Sequence, residues 1–325
     1  MARWLVTGGC GFIGSHLVEA LLRRGDRVRV LDDLSTGRRH AVLAGAELLI
    51  GDVADRALVT RAMAGIDGCF HLAAIASVQR CAEDWLGAHR TNLTGTITVF
   101  DVARRDGEAT PIPVVYASSA AVYGDNPQIP LGEAAATHPL SAYGADKLGG
   151  ELHARAAWVT HRLPTTGLRF FNVYGPRQDP LSPYSGVISI FIDRMRENRA
   201  LDVFGDGEQL RDFIYVADIT AYLIAAMAQT GAGARVFNLC TGRATSVLEL
   251  AATIGDILGH APKLRHGPAR AGDIRRSIGD PAAAVKAFGF AAPTDLRSGL
   301  SRTLDDIAGS SAGSSEKTIS PGTLV

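Results

Sequence analysis

The 325-residue sequence predicts an α/β protein, a doubly wound parallel sheet carrying a smaller, discontinuous C-terminal lobe. Three observations predict it. Short apolar runs, "RWLVT", "RVRVLD", "AELLIGD", "CFHLAA", "PVVYASS" and "TTGLRFF", are separated by helix-length segments, the rhythm of parallel strands buried under helices on both faces. A glycine-rich turn follows the first run. After "LRFFNVYGPRQDPLSPYSG" the rhythm becomes irregular and rich in Pro, Gly and Arg before a strand-like "RVFNLC" and a helix-like "TSVLELAATIGDIL".

These shifts set the expected boundaries. Residues 1–170 form the main sheet, to which the chain returns near 212–242; 171–211 and 243–307 form the smaller, ligand-holding lobe. The Gly/Ser-rich end, 308–325, has the composition of a disordered tail. Lys+Arg and Asp+Glu are equal at 33 each, so there is no electrostatic footprint for nucleic acid or an anionic membrane surface. The uncharged run Ile219 to Ala234, which no other exceeds in length, contains Gln, Thr and two Gly and is too short to span a bilayer. The N-terminus leads directly into an apolar run, without the pattern of a signal peptide. Cys10, Cys69, Cys81 and Cys240 are scattered without a CxxC pair, which argues against zinc or a disulfide framework and for a reducing, cytoplasmic setting.

The first chemical signal is "LVTGGCGFIGSHLVEALLRRG", where Gly8, Gly11 and Gly14 sit between a strand and a helix. Glycines let the turn be tight and let backbone N–H groups approach a pyrophosphate at the positive end of the helix. With Phe12 and Ile13 in the turn, and the acidic pair Asp32 and Asp33 about twenty residues on, this is a dinucleotide-binding (Rossmann) pattern. Asp32 is placed to accept hydrogen bonds from an adenosine ribose diol and would repel a 2′-phosphate, which favours NAD over NADP. Arg38 and Arg39 could accommodate such a phosphate, although helix-start arginines are commonly only solvated. Asp52 and Val53, at the expected end of the third strand, are candidates to hold the adenine; an Asp there is equally an ordinary turn former.

The second signal is "ASSAAVYG" followed by "YGADK". Accidental YxxxK matches are expected only about 0.1 times in a chain of this composition. If Tyr143 begins a helix, Lys147 lies one turn on along the same face. A nearby ammonium and a positive nicotinamide ring would then lower the phenol toward the working range of a general base.

With these residues in view, the sequence resembles the extended short-chain dehydrogenase/reductase family, in particular its nucleotide-sugar epimerases. The resemblance runs from about Arg3 to about Gly289 through "TGGCGFIG", "HLAA", "SSAAVYG", "YGADK", "FFNVYGPRQDP", "RDFIYVAD" and "RAGDIRRS". It implies that Tyr143 is the base on a sugar 4-OH and that Lys147 holds the nicotinamide ribose. Ser119 would share the 4-OH hydrogen bond, with Ser118 a neighbouring support. Leu72, Ala73 and Ala74 would wall the slot of a tightly bound NAD regenerated at each turnover, with Asn92 near it. Helices near 85–106 and 143–160 would pair with their copies in a homodimer.

Related dehydratases carry an Asp-Glu pair directly after the Ser/Thr, and a related decarboxylase a Glu at the second of those positions; here Ala120 and Ala121 can neither give nor take a proton. Reversible oxidation at C4 needs neither. The resemblance therefore implies 4-epimerisation of a UDP-sugar. For the substrate it implies Asn172, Arg211 and Arg270 as the grip, guanidinium forks suiting a diphosphate, and Val187 and Phe204 as uracil-pocket residues. Asn172 stands where uronic-acid 4-epimerases commonly have Thr, which disfavours UDP-glucuronate. Ser277 stands where strict hexose epimerases have a bulky Tyr, leaving volume for an N-acetyl group, and "SVQR", Ser77 to Arg80, resembles epimerases of N-acetyl sugars. UDP-Glc/UDP-Gal with UDP-GlcNAc/UDP-GalNAc are the expected substrates. Another nucleotide sugar, a 4-ketosugar reductase activity and a non-catalytic NAD-binding regulator are the alternatives.

Overall fold

The structure, a computed structural model, describes residues 1–37, 44–105, 110–179, 186–269 and 274–314. Strand and helix alternate first as β1 (Arg3–Thr7), α1 (Phe12–Arg23), β2 (Arg27–Asp32), β3 (Glu47–Ile50), α2 (Arg56–Met63), β4 (Gly68–His71), α3 (Val78–Glu83) and α4 (Trp85–His89). A π-helical turn (Arg90–Thr94) leads into α5 (Gly95–Ala103) and β5 (Val114–Ser119); a 3-10 turn (Ala120–Tyr123) then precedes α6 (Ala142–His161) and β6 (Thr165–Phe170). All six strand-like runs are strands of one sheet. The sheet has seven parallel strands in the order β10-β6-β5-β4-β1-β2-β3, with β10 (Ala234–Leu239) as the late return.

Strand alternation divides the core. Leu5 faces the layer of Val59 from α2, Val99 from α5 and Ala154 from α6, whereas its neighbour Val6 faces Leu17 and Leu21 of α1. Both side chains are fully buried, so truncating either to Ala costs about 2–5 kcal/mol for the larger and less for the smaller. The strand order reverses at β1: β2 and β3 extend one way, β4, β5 and β6 the other. A crevice at the carboxyl ends of the strands is expected at such a reversal.

The second lobe is built from β7 (Asn172–Tyr174), α7 (Val187–Arg196), β8 (Leu201–Phe204), β9 (Leu210–Tyr215), β11 (Ala244–Ser246), α9 (Val247–Leu258), β12 (Leu264–Gly267), β13 (Arg276–Ser277) and α11 (Leu296–Ser314), with α8 (Val216–Gln229), β10 and α10 (Ala282–Phe288) interposed from the main domain. β9 is its hub, pairing with β11, β13 and β7, while β8 pairs with β12. The chain returns to the main domain with α8 rather than at residue 212, since β9 belongs to the small sheet. α10 also leaves the lobe: Phe288 lies edge-on to Tyr222 and Phe237, burying its ring on the main core. α11 continues through Ser314, past the expected start of the tail, because extending an existing helix costs far less than nucleating one; residues 315–325 lie outside the described residues. Among the described residues no helix is long and apolar enough to cross a membrane.

Candidate active site

At the carboxyl ends of the main strands lies a cavity of about 470 Å3 lined by Gly8, Gly11, Gly14, Asp32, Asp52, Ser119, Tyr143, Lys147 and Asn172, among others. Its floor is the glycine turn. Gly8 adopts φ +70°, where a Cβ would stand 2.6 Å from the Ala73 nitrogen, and a Cβ on Gly14 would overlap the Gly8 carbonyl oxygen. Gly11 is the N-cap of α1, with its N–H donating to Gly8 O at 3.1 Å. Backbone is thus pressed against backbone, leaving a side-chain-free cradle before the positive end of a twelve-residue helix. A pyrophosphate fits that donor set. Phe12, Ile13 and Asp33 also line the cavity, as do Val53, Leu72, Ala73, Ala74 and Ser118.

Asp32 ends β2 and is buried; its Oδ2 accepts from the Cys10 N–H at 2.9 Å and its Oδ1 from the Leu34 N–H at 2.9 Å. Burial raises its carboxyl above the ordinary range, opposed by those two N–H donors. It therefore fastens the glycine turn to β2 as well as facing the cavity, a task that spacing does not reveal. Asp52 follows β3, which ends at Ile50, by one residue in the left-handed region, Gly51 at φ +155°. Its Oδ1 accepts from Ala54 N–H at 2.8 Å, the turn-former pattern, while Oδ2 receives Arg90 Nε at 3.0 Å. Arg38 and Arg39 lie outside the described residues.

Asn92 does not line the cavity. It is buried, and its amide brackets Ile75, accepting from that N–H at 2.8 Å and donating to that carbonyl at 3.1 Å; Ile75 is the wall residue. Beside it, His71 is enclosed between Thr7 and Thr96. Thr96 Oγ1 donates to Asn92 O at 2.6 Å, so it accepts from His71 Nε2–H at 3.0 Å; His71 Nδ1 then accepts from Thr7 at 2.7 Å, and the Thr7 oxygen accepts from Ala73 N–H. Burial pushes the imidazole down to about 3, so the ring is neutral and this relay holds one tautomer. It ties β1, β4 and α5 behind the Ala73 wall.

Ser141 caps α6 by accepting from Gly144 N–H at 3.1 Å, which places Tyr143 and Lys147 on one face of the first two turns. Lys147 Nζ donates to Ala117 O at 2.9 Å and lies 5.7 Å from the Tyr143 ring centroid. Ser119 stands close enough to the Tyr143 phenol to favour its ionised form and accepts from Ala121 N–H at 3.1 Å, so Ala120 and Ala121 open a 3-10 turn. Among the protein's own groups Lys147 by itself does not bring the phenol down: desolvation pushes it up to about 12, opposed by Ser119, and lowers Lys147 to about 8. The ammonium is anchored to a strand carbonyl beside the ring rather than to the phenol oxygen. Among the described lining residues the carboxylates are Asp32, Asp33 and Asp52, all at the β2 and β3 ends; none stands beside Tyr143.

The expected substrate residues are more dispersed. Asn172 lines the cavity and opens β7 opposite Phe213, while Ser277 pairs with Arg211 on the same strand β9. Arg211 donates to Leu210 O at 3.0 Å. Val187 begins α7 and packs against the small lobe's core, and Phe204 ends β8; neither they nor Arg211 or Ser277 line this cavity. Arg270 lies outside the described residues. The cavity includes residues that spacing missed, notably Arg80, Thr91, Phe170, Phe171, Val173 and Gln178. Arg80 had a signal through "SVQR", and Phe170, Phe171, Val173 and Gln178 lie within "FFNVYGPRQDP"; Thr91 had none. Among the described residues no group of His, Cys, Asp and Glu is arranged to hold a metal, and the four cysteines are buried free thiols.

Comparison with known proteins bears on this site. The model of the NAD dependent epimerase/dehydratase family matches residues 4–240. A UDP-glucose 4-epimerase of Mycolicibacterium smegmatis is 36% identical over 311 residues, covering 93% of this chain and 97% of that protein. The crystal structure of UDP-glucose 4-epimerase from Thermotoga maritima with UDP-glucose is similar at a TM-score of 0.90 and 33% identity, covering 95% of this chain and 99% of the other. A UDP-N-acetylglucosamine 4-epimerase from Methanobrevibacter ruminantium, in complex with UDP-N-acetylmuramic acid, reaches a TM-score of 0.89 at 32% identity, with the same coverage.

Proposed function

The chain belongs to the NAD-dependent epimerase/dehydratase family, and from that premise we propose that it interconverts C4 epimers of UDP-hexoses, UDP-Glc/UDP-Gal and also UDP-GlcNAc/UDP-GalNAc. One observation carries the reading: a Ser119–Tyr143–Lys147 constellation faces the same cavity as the glycine cradle, with alanines directly after Ser119 and, among the described lining residues, carboxylates only at the β2 and β3 ends. NAD, when bound, supplies the hydride acceptor and then the hydride donor at the sugar C4. Gly8, Gly11 and Gly14 would cradle its pyrophosphate and Asp32 its ribose, with Ala73 and Ala74 as walls. Tyr143 takes the 4-OH proton and returns it after the 4-keto sugar has presented its other face. Ser119 shares that hydrogen bond, and Lys147, anchored on Ala117, holds positive charge beside the phenol. A proton donor for eliminating water is not needed, and Ala120 and Ala121 supply none.

The substrate grip falls to Asn172 in the cavity and to Arg211, Arg270 and Ser277, with Val187 and Phe204 at the base. Tolerance at C2 rests on the small side chain of Ser277, which pairs with Arg211 on the adjacent strand. A second reading, UDP-glucuronate as substrate, draws on Arg80, which brings a guanidinium into the cavity suited to a carboxylate. The protein acts as a homodimer in this reading: Leu86 on α4 and Leu152 on α6 are 79% and 61% exposed on helices expected to pair. Incubating the protein with each of the four UDP-hexoses and with UDP-glucuronate, then separating products, tests the proposal. C4 epimers of the hexoses are expected; no epimer from any of them overturns it, and exclusive turnover of UDP-glucuronate selects the second reading.

A further inference from the structure

We propose that Glu151, locked by Arg169, is a positioning residue that sets the distance between α6 and the end of β5, and with it the Ser119–Tyr143 contact. The inference rests on the reading of Tyr143 as the base. Three consecutive residues of β5 each face α6. The Ala117 carbonyl accepts Lys147 Nζ at 2.9 Å, Ser118 Oγ donates to Glu151 Oε1 at 2.5 Å, and Ser119 stands where it influences the Tyr143 phenol. Tyr143, Lys147 and Glu151 recur every four residues and so share one helix face.

Two of those contacts end in the cavity. The third ends behind it, because Glu151 and Arg169 do not line the cavity and are both buried. Arg169 leaves β6 at the position paired with Ser118. Its Nε meets Glu151 Oε1 at 2.9 Å and its Nη2 meets Oε2 at 2.6 Å, a bidentate fork that leaves the carboxylate one orientation. The same guanidinium donates through Nη1 to Tyr123 Oη at 2.7 Å and to Glu133 O at 3.2 Å, and stands 4.8 Å from the Tyr123 ring centroid. Tyr123 donates onward to Asn238 Oδ1 at 2.7 Å. Ser118 and Tyr123 flank Ser119 and the alanine turn, so Arg169 grips the proton-sharing serine's segment from both sides.

Stability does not account for such a pair. Desolvating two charges costs more than a well-packed apolar replacement, which is often neutral or stabilising. Proton transfer, in contrast, is sensitive to displacements well below 1 Å. The pair is therefore placed where geometry is needed and burial energy is not.

The decisive variant replaces both partners, Glu151→Met with Arg169→Met, which removes the fork without stranding a charge. With thermal midpoint and NAD content kept, kcat is expected to fall about tenfold or more while KM for the UDP-sugar changes less than about twofold. The Tyr143 phenol, followed by 13Cζ-tyrosine NMR in the NAD-loaded protein without substrate and assigned with Tyr143→Phe, should titrate at higher pH than in the NAD-loaded wild type, since Ser119 is drawn away from it. If the double variant does not fold, Ser118→Ala cuts the same tie alone, and a smaller fall in kcat with the same rise of the phenol midpoint is expected. A folded variant with wild-type kcat and an unmoved phenol overturns the inference. A wild-type protein inactive on every UDP-sugar overturns the epimerase reading instead, and the substrate-free titration still decides the role of Glu151.

Discussion

The two ends of the cavity are built differently. At the cofactor end, one short stretch and the strand ends beside it supply nearly everything: glycines without room for a Cβ, Asp32 bonded twice to backbone N–H groups, and a neutral His71 relay behind Ala73. At the end proposed for the sugar, Asn172 opens β7 and Arg80 arrives from α3, while Arg211 and Ser277, paired on β9 and β13, stand outside the cavity lining. The first end tolerates little change because its contacts are backbone against backbone. The second is assembled from side chains on separate elements, so single changes there should retune what binds rather than abolish it.

The hinge between the two ends gives the largest expected effect. Tyr143→Phe should lower kcat by about 10²–10⁴ while NAD, measured by release on denaturation, stays bound; loss of NAD with the hydroxyl would place Tyr143 at the cofactor end instead. Next, Gly14→Ala puts a methyl into the Gly8 carbonyl, and purified protein should lose its bound NAD and a few °C of thermal midpoint, the shift expected for about 1 kcal/mol in a chain this long. Retention of full NAD would mean that the cradle is not as tight as its backbone contacts imply.

A third prediction concerns pH. Burial lowers Lys147 from its ordinary value to about 8, so the folded protein binds fewer protons than the unfolded chain from about pH 8 to about 10.5. Stability contributed by this group therefore rises with pH across that window, whereas the ammonium needed beside Tyr143 is lost. Turnover should decline above about pH 8, and Lys147→Arg, charged throughout, should move that limb upward at reduced kcat. An unmoved limb would assign it to another group. The smallest effect belongs to the sugar end: Ser277→Tyr should shift the ratio of kcat/KM for UDP-GlcNAc to UDP-Glc by about tenfold in favour of the hexose, without altering NAD content. An unchanged ratio would remove Ser277 from the C2 side.

How much was legible follows the same division. The six strand-like runs, the glycine turn and the Tyr143/Lys147 pair could be read because each depends on residues within a few positions of one another, where periodicity and spacing act. The membership of β9 in the small sheet, the return of α10 to the main core and the role of Asn92 behind the wall could not. Each is decided by partners far along the chain, Ser277 with Arg211, Phe288 with Tyr222, Asn92 with Ile75.

The sequence by itself determined the doubly wound sheet, the cradle, the acidic end of β2 and the alanines that stand directly after Ser119, since all of these are properties of local runs. The tertiary structure alone decided the protonation balance and the geometry of the site. Desolvation, which depends on everything packed around a group, holds the Tyr143 phenol high and the Lys147 ammonium low, and a guanidinium from β6 meeting a carboxylate from α6 fixes where Ser119 stands. Neither field nor contact has a signature in spacing, because both arise only when distant segments share one buried space.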